Sequence, residues 1–181
     1  ICYGYCVSDG SLFALKSELS YLWTVNIGMA LENIRKWQWI NRMNEKINRM
    51  WKYDMLTQVL NRSGFFYCAE TILQKIKEEK SNAFIIFLDI DGLKSVNDNL
   101  GHEIGDAFIA KIAGILKEVV PKDCLIMRYG GDEFVVFGSC KQAGRMQRIA
   151  EDIKAAIKTA DQKENRSYHL AASLGCSLHK S

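Results

Sequence analysis

Residues 83–88 form an uninterrupted run of β-prone apolar residues that ends in an acidic cluster. Such a run is typical of a central strand. Three helical patterns and three further strand patterns surround it: helices at 63–80, 103–120 and 141–160, and strands at 124–129, 133–137 and 167–178. This alternation predicts an α/β protein whose central mixed sheet is flanked by helices.

Local signals predict the ends and the buried face of two of these helices. Ser63 is expected to cap the first helix, and Pro121 is expected to end the second. The second helix is expected to bury six apolar residues: Ile104, Phe108, Ile112, Ile115, Leu116 and Val119.

A long linker helix is expected before the α/β region, over residues 17–53, where there is no proline and only Gly28 interrupts the pattern. Apolar residues recur there at steps of three or four: Ile27, Ala30, Ile34, Trp37, Ile40, Met43, Ile47 and Met50. The spacing predicts a coiled-coil seam with one stammer, the alternative being a single amphipathic helix that packs on its own domain. Residues 1–16 are interpreted as the remnant of an upstream region, and the catalytic region is expected over 54–181.

Length and composition exclude several classes of protein. A chain of 181 residues has room for one domain and an appendage. Its 48% hydrophobic content excludes general disorder, and a net charge of +3 gives no reason to expect nucleic acid as a partner. No apolar run reaches the roughly 18 residues of a membrane helix. The six cysteines form no CxxC pair, which favours reduced thiols in a cytoplasmic protein.

Two acidic clusters follow strand patterns. Asp89 and Asp91 flank Ile90 and share one face of a strand, while Asp132 and Glu133 follow a Gly-Gly hairpin signal, because glycines accept positive φ. If the hairpin packs beside the central strand, the carboxylates approach one another and repel unless a cation lies between them. Such oxygen ligands suit Mg²⁺. The alternative is that these are solvated acids at ordinary strand ends.

The segment between the acidic clusters carries side chains suited to a nucleotide. Lys94 can neutralise a phosphate, Asn97 offers a donor and an acceptor, and Asp106 offers acceptors only. Guanine presents an O6 acceptor beside two N–H donors, so Asn97 and Asp106 together could read it. The alternative is an ordinary turn followed by a solvated helix, with His102 as a loop histidine bonded to the backbone.

Four ordered blocks resemble the GGDEF family of diguanylate cyclases: DMLT with NR within 54–62, DIDGLKSVND at 89–98, GHEIGD at 101–106 and RYGGDEF at 128–134. The resemblance covers residues 53 to about 178. It implies a palm-like domain of the nucleotidyl-cyclase type that condenses two GTP molecules into cyclic di-GMP and releases two pyrophosphates. It also implies a homodimer, joined through the N-terminal helix, with one GTP and Mg²⁺ (or Mn²⁺) per domain and an upstream sensory domain.

The same resemblance implies a role for each motif residue. The metal ligands would be Asp89, the Ile90 carbonyl and Asp132. The catalytic residues would be Asp132, which helps to deprotonate the attacking 3′-hydroxyl, with Glu133 and Lys94. The substrate-binding residues would be Asn97, His102, Asp106, Gly92, Leu93, Gly130 and Gly131.

Three departures from the family pattern modify these expectations. Residues 58–60 read QVL where the family has Gly-Leu-Pro. Pro121 and Cys124 occupy the positions of the RxxD product-inhibition motif, so feedback inhibition through that site is not expected. The family's C-terminal helix and basic turn have no match, which suggests an incomplete domain of uncertain activity. The main alternative is a catalytically inactive GGDEF module that binds GTP or a protein partner; a cyclase using ATP and a purely structural dimerisation domain are others.

Overall fold

The computed structural model describes residues 15–142, 144–163 and 168–180. Nearly all of the expected upstream remnant, residues 1–14, lies outside this part of the chain. The helices are α1 (Leu15–Lys52), α2 (Arg62–Glu78), α3 (Leu93–Leu100), α4 (His102–Val119) and α5 (Arg145–Lys163). The strands are β1 (Asn82–Ile90), β2 (Leu125–Arg128), β3 (Glu133–Cys140) and β4 (Ala172–His179). The chain forms two compact units, residues 1–48 and 49–181.

The four strands form one sheet in the order β2-β3-β1-β4, and each neighbouring pair is antiparallel. Two split βαβ units interlock: α3 and α4 join β1 to β2 with β3 between them, and α5 joins β3 to β4 with β1 between them. The α/β class and the central position of the apolar strand are therefore confirmed. The sheet is antiparallel rather than mixed, because an antiparallel strand separates each pair of parallel strands.

The core lies on both faces of the sheet. Alternate residues of β1 pack beneath α4 and α5, and Phe84, Ile86 and Leu88 are almost fully buried there. On the other face α2 contributes Phe65 to a second cluster, which includes Met127 of β2. The two layers hold the acidic end of β1 beside the hairpin formed by β2 and β3.

Several local expectations are corrected. Asn61, not Ser63, caps α2, because its side-chain oxygen accepts the Gly64 N–H at 2.9 Å. Ile104 is 38% exposed, whereas the other five predicted apolar residues of α4 are buried or half-buried against the core. Helix α4 ends before Pro121, as expected. The short helix α3 was not predicted as an element of its own, and β3 runs three residues further than its apolar pattern.

The apolar seam of helix α1 is exposed to solvent. Ile34 and Trp37 are 52% and 65% exposed. The other seam residues of the described chain are exposed as well: Ile27, Ala30, Ile40, Met43, Ile47 and Met50. Among the described residues, no helix combines the length and apolar character needed to cross a bilayer.

Candidate functional site

The antiparallel pairing of β1 with β3 brings the two acidic clusters together. Asp89 lies directly opposite Glu133 in the register. Residues opposite one another share a face of the sheet, and like charges in such a pair are destabilising. The pair therefore forms a local concentration of negative charge at one end of the sheet.

The turn before Glu133 carries Asp132 to the end of β1. The Ile90 N–H donates to the Asp132 carbonyl at 3.1 Å, and the Tyr129 N–H donates to the Glu133 carbonyl at 2.8 Å. Neither Gly130 nor its neighbour has the positive φ expected of this hairpin. Instead, a Cβ on Gly130 would come within 3.0 Å of a Glu133 carboxylate oxygen, so the glycine allows a close approach.

The acidic end of the sheet has a donor set that fits a hard divalent cation. Among the side chains that the structure describes, those of residues 21–142, 144–163 and 168–180, no lysine or arginine forms an ion pair with Asp89, Asp132 or Glu133. In the same ranges no group of three or more His, Cys, Asp or Glu side chains could hold a metal ion. Mg²⁺ commonly uses one or two carboxylates and completes its shell with water and substrate phosphates. The facing acids therefore fit a site that is completed by substrate.

Asp91 directly follows the last residue of β1 and contacts β4. Its carboxylate accepts the Ser173 hydroxyl of β4 at 2.8 Å, and its N–H donates to the Ala171 carbonyl at 3.0 Å. Ser173 lies opposite Asp89 in the register of β1 and β4, so this contact keeps Asp91 on the face of the sheet that carries Asp89, although β1 itself ends at Ile90.

The chain turns from β1 directly into α3. Gly92 has φ +76°, a left-handed conformation that favours glycine, and its carbonyl accepts the Val96 N–H at 3.1 Å. Leu93 is buried in the core and Lys94 is exposed on the first turn. The first N–H groups of a helix lack helical partners, so this turn offers free donors beside an exposed ammonium group.

Helix α3 places Asn97 against α4, next to the residue that precedes Asp106. Gly101, with φ +89°, separates the two helices. A Cβ on Gly105 would overlap the Asn97 side-chain oxygen, so Asn97 lies against the turn of α4 that carries Asp106. Asn97 is half-buried, whereas Asp106 and His102 are exposed.

Arg128 and Asp54 also belong to this site, although the sequence predicted no role for either of them. Arg128 precedes the hairpin turn and forms an ion pair with Asp54 at 3.2 Å. Burial works to raise the pKa of Asp54, but hydrogen bonds from Thr57 and the charge of Arg128 outweigh it and hold the pKa below its ordinary value. The signal available in the sequence was their presence in the first and last motif blocks.

Comparison with known sequences identifies relatives. Residues 51–181 match the family described as diguanylate cyclase, GGDEF domain. An uncharacterized membrane protein of Staphylococcus epidermidis is 31% identical over 146 residues, which make up 81% of this chain and 39% of that protein. An uncharacterized membrane protein of Staphylococcus aureus is 30% identical with the same coverage. The chain thus spans about 39% of the length of the curated relatives it matches.

Solved structures share the fold. The coiled coil and GGDEF domain of DgcB from Caulobacter crescentus, in complex with c-di-GMP, has a TM-score of 0.74 at 22% identity, covering 84% of this chain and 82% of that one. The GGDEF domain of YfiN from Pseudomonas aeruginosa has a TM-score of 0.63 at 28% identity, covering 70% and 74%.

Proposed function

This chain belongs to the diguanylate cyclase GGDEF-domain family, and on that premise we propose that it condenses two GTP molecules into cyclic di-GMP and releases two pyrophosphates. The observation that carries the proposal is the register of β1 and β3. It sets Asp89 opposite Glu133 and holds Asp132 beside the end of β1.

In this proposal Asp89, the Ile90 carbonyl and Asp132 hold Mg²⁺, with Mn²⁺ as a substitute. The bound cation supplies charge neutralisation at the phosphates, which is most of what phosphoryl transfer requires. Asp132 also helps to take the proton from the attacking 3′-hydroxyl, and Glu133 supports this site across the turn.

The start of α3 would hold the phosphates. Gly92 and Leu93 contribute backbone N–H groups and Lys94 contributes its ammonium group, a compact point charge suited to phosphate. Support comes from the position of this turn, which continues directly from the strand that carries Asp89. Gly130 and Gly131 would let the hairpin backbone approach the nucleotide from the other side.

Base recognition would fall to Asn97 and Asp106. Guanine offers an acceptor and two donors along one edge, whereas adenine would leave the Asp106 carboxylate without a donor. The close packing of Asn97 against Gly105 supports this assignment, because Gly105 directly precedes Asp106 in α4. His102, at the start of α4, would lie near the ribose or base.

A homodimer through α1 would bring two GTP-loaded domains together at high effective concentration. The exposed seam supports this role. Replacing Ile34 with lysine should shift the chain toward monomer in sedimentation velocity, because the change places a charge in the seam. The matched control is Trp39→Lys, which alters an exposed apolar residue outside the seam and should leave the dimer intact. Equal effects of the two variants would contradict dimerisation through this seam.

The relatives are named membrane proteins and are longer than this chain. We infer a longer protein in which an upstream region senses a signal. We assign the cyclase unit to the cytoplasm because GTP is supplied there.

The test is to incubate the chain at high concentration with GTP and Mg²⁺ and to detect cyclic di-GMP by mass spectrometry. Asp132→Ala should abolish product without loss of fold, because it removes a metal ligand. Asp152→Ala, which changes an exposed aspartate of α5, is the matched control and should retain activity. Full activity of Asp132→Ala would contradict the metal role. GTP binding without product, even with Mn²⁺, would instead support an inactive binding module.

A further inference from the structure

Arg128 joins two segments that are far apart in the sequence. Its guanidinium donates to the Gly131 carbonyl from Nε at 3.2 Å and from Nη2 at 2.7 Å. Its Nη1 donates to the Asp54 carboxylate at 3.2 Å, across 74 positions of sequence. The arginine side chain is 16% exposed and that of Asp54 is 25% exposed, so solvent screens this pair less than a surface pair. The planar fork of donors in arginine suits this two-sided contact.

Asp54 is itself held in place. Its carboxylate accepts the Thr57 N–H at 2.9 Å and the Thr57 hydroxyl at 2.6 Å. The segment that follows is bound to β2, because the Leu60 N–H donates to the Ile126 carbonyl and the Arg128 N–H donates to the Leu60 carbonyl. Asp54 is therefore a fixed anchor for the guanidinium.

The other end of the contact lies next to the proposed metal ligand. The Gly131 carbonyl belongs to the peptide group that continues into Asp132, so holding this oxygen orients the backbone just before the Asp132 side chain. The carbonyl of Asp132 is held separately by the Ile90 N–H. Two consecutive glycines would otherwise give this turn large conformational freedom.

We propose that Arg128, anchored by Asp54, is a positioning residue that sets the carboxylate of Asp132 for binding a divalent cation. The inference rests on the proposed function, because the metal role of Asp132 is part of it. A role confined to stability would weaken the fold without changing affinity for the metal.

The chain contains a matched control for this distinction. Arg145 makes the same kind of contact at the far end of β3: its guanidinium donates to the Asp123 carboxylate at 2.7 Å and to the Ser139 carbonyl at 2.8 Å. Removing Arg145 therefore deletes a comparable ion pair and carbonyl contact far from the acidic turn. The two variants differ mainly in their distance from Asp132.

The experiment measures Mn²⁺ affinity by electron paramagnetic resonance in the presence of 3′-deoxy-GTP, which binds but cannot react. Arg128→Gln should weaken Mn²⁺ binding by about tenfold or more, the usual effect of losing a residue that orients a ligand. Asp54→Asn should cause a smaller loss in the same direction, and the double variant should be no worse than Arg128→Gln, since both act through one contact. Arg145→Gln should leave Mn²⁺ affinity unchanged.

Unchanged Mn²⁺ affinity in a folded Arg128→Gln chain would overturn the proposal, and so would an equal loss in Arg145→Gln. The outcome separates this inference from the cyclase proposal. A wild-type chain that makes no cyclic di-GMP, but binds Mn²⁺ in a manner sensitive to Arg128, would support positioning while contradicting the activity. A wild-type chain that does not bind Mn²⁺ with the analogue would overturn both the metal role and the positioning.

Discussion

Gly105 lies on α4 at the point where the side chain of Asn97 reaches the helix. Glycine is a poor helix former, by about 1 kcal/mol relative to alanine. Its presence inside a helix therefore has a local cost, and the approach of Asn97 supplies a reason for it. The proposed recognition of the base by Asn97 and Asp106 therefore depends on Gly105, which leaves room for the Asn97 side chain.

Replacing Gly105 with alanine should separate stability from nucleotide binding. The added methyl group raises helix propensity, so the free energy of unfolding should stay within about 1 kcal/mol of wild type or rise. The same methyl group must displace the Asn97 amide, which should weaken 3′-deoxy-GTP binding by about tenfold, equivalent to about 1.4 kcal/mol. Urea unfolding and calorimetric titration measure the two quantities.

Gly114→Ala is the matched control, because it lies in the same helix with no atom within 4 Å of an added Cβ. It should raise the free energy of unfolding by about 1 kcal/mol and leave nucleotide affinity unchanged. Wild-type affinity for 3′-deoxy-GTP in the Gly105→Ala variant would contradict the proposed role of Asn97 in base recognition.

At the scale of elements, Asn61 ties the end of α1 to the start of α2. Its side-chain oxygen caps α2, and its side-chain nitrogen donates to the Trp51 carbonyl at 2.9 Å. Gly64 allows this contact, since a Cβ there would overlap the Lys52 carbonyl. Residues 49–52, the last turn of α1, belong to the 49–181 unit and are therefore bound to the start of α2 within it.

Asn61→Ala should lower the free energy of unfolding by about 2 kcal/mol, because it removes a helix cap together with donors to α1. Ser63→Ala is the control, since Ser63 lies inside α2 and is exposed, and it should change stability by less than about 0.5 kcal/mol. Urea unfolding of both variants checks the assignment. A larger loss from Ser63→Ala would mean that the cap lies where the sequence pattern alone predicted it.

The packed layers of the 49–181 unit bury some of its cysteines and leave others accessible. Cys124 is buried beside Gly138, where a Cβ would come within 2.7 Å of its sulfur. Burial, reinforced by the charge of Asp123 and partly offset by Arg145, raises the pKa of the Cys124 thiol to about 11. Cys140 is also buried, whereas Cys176 on β4 is exposed.

Alkylation at about pH 8 followed by peptide mass spectrometry should therefore modify Cys176 before Cys124 and Cys140, because the thiolate is the reactive form and must be reachable. Cys124 and Cys140 should react only as the domain unfolds, so their labelling rate should rise with urea along the unfolding transition. Rapid labelling of Cys124 in the native chain would contradict the packing of β2 and β3 against α4 and α5.

Features that depend on near neighbours along the chain were predictable from the residue pattern alone. The apolar run at 83–88 identified the central strand, the spacing of apolar residues identified the helices, and the motif blocks identified the family. Each signal is local, because hydrophobic periodicity and turn residues act over a few positions. The same locality explains the errors at Ser63 and at α3, where several adjacent residues carry similar signals and contacts made elsewhere decide among them.

Contacts between residues far apart in the sequence became apparent only in the folded chain. The order of the strands made the sheet antiparallel, and the register of β1 with β3 set Asp89 against Glu133. The contact of Arg128 with Asp54 spans 74 positions, and no periodic pattern in the sequence indicates it. Strand register is chosen by burying one whole face of a sheet at once. It is therefore a property of the assembled core, and the geometry of the candidate site follows from it.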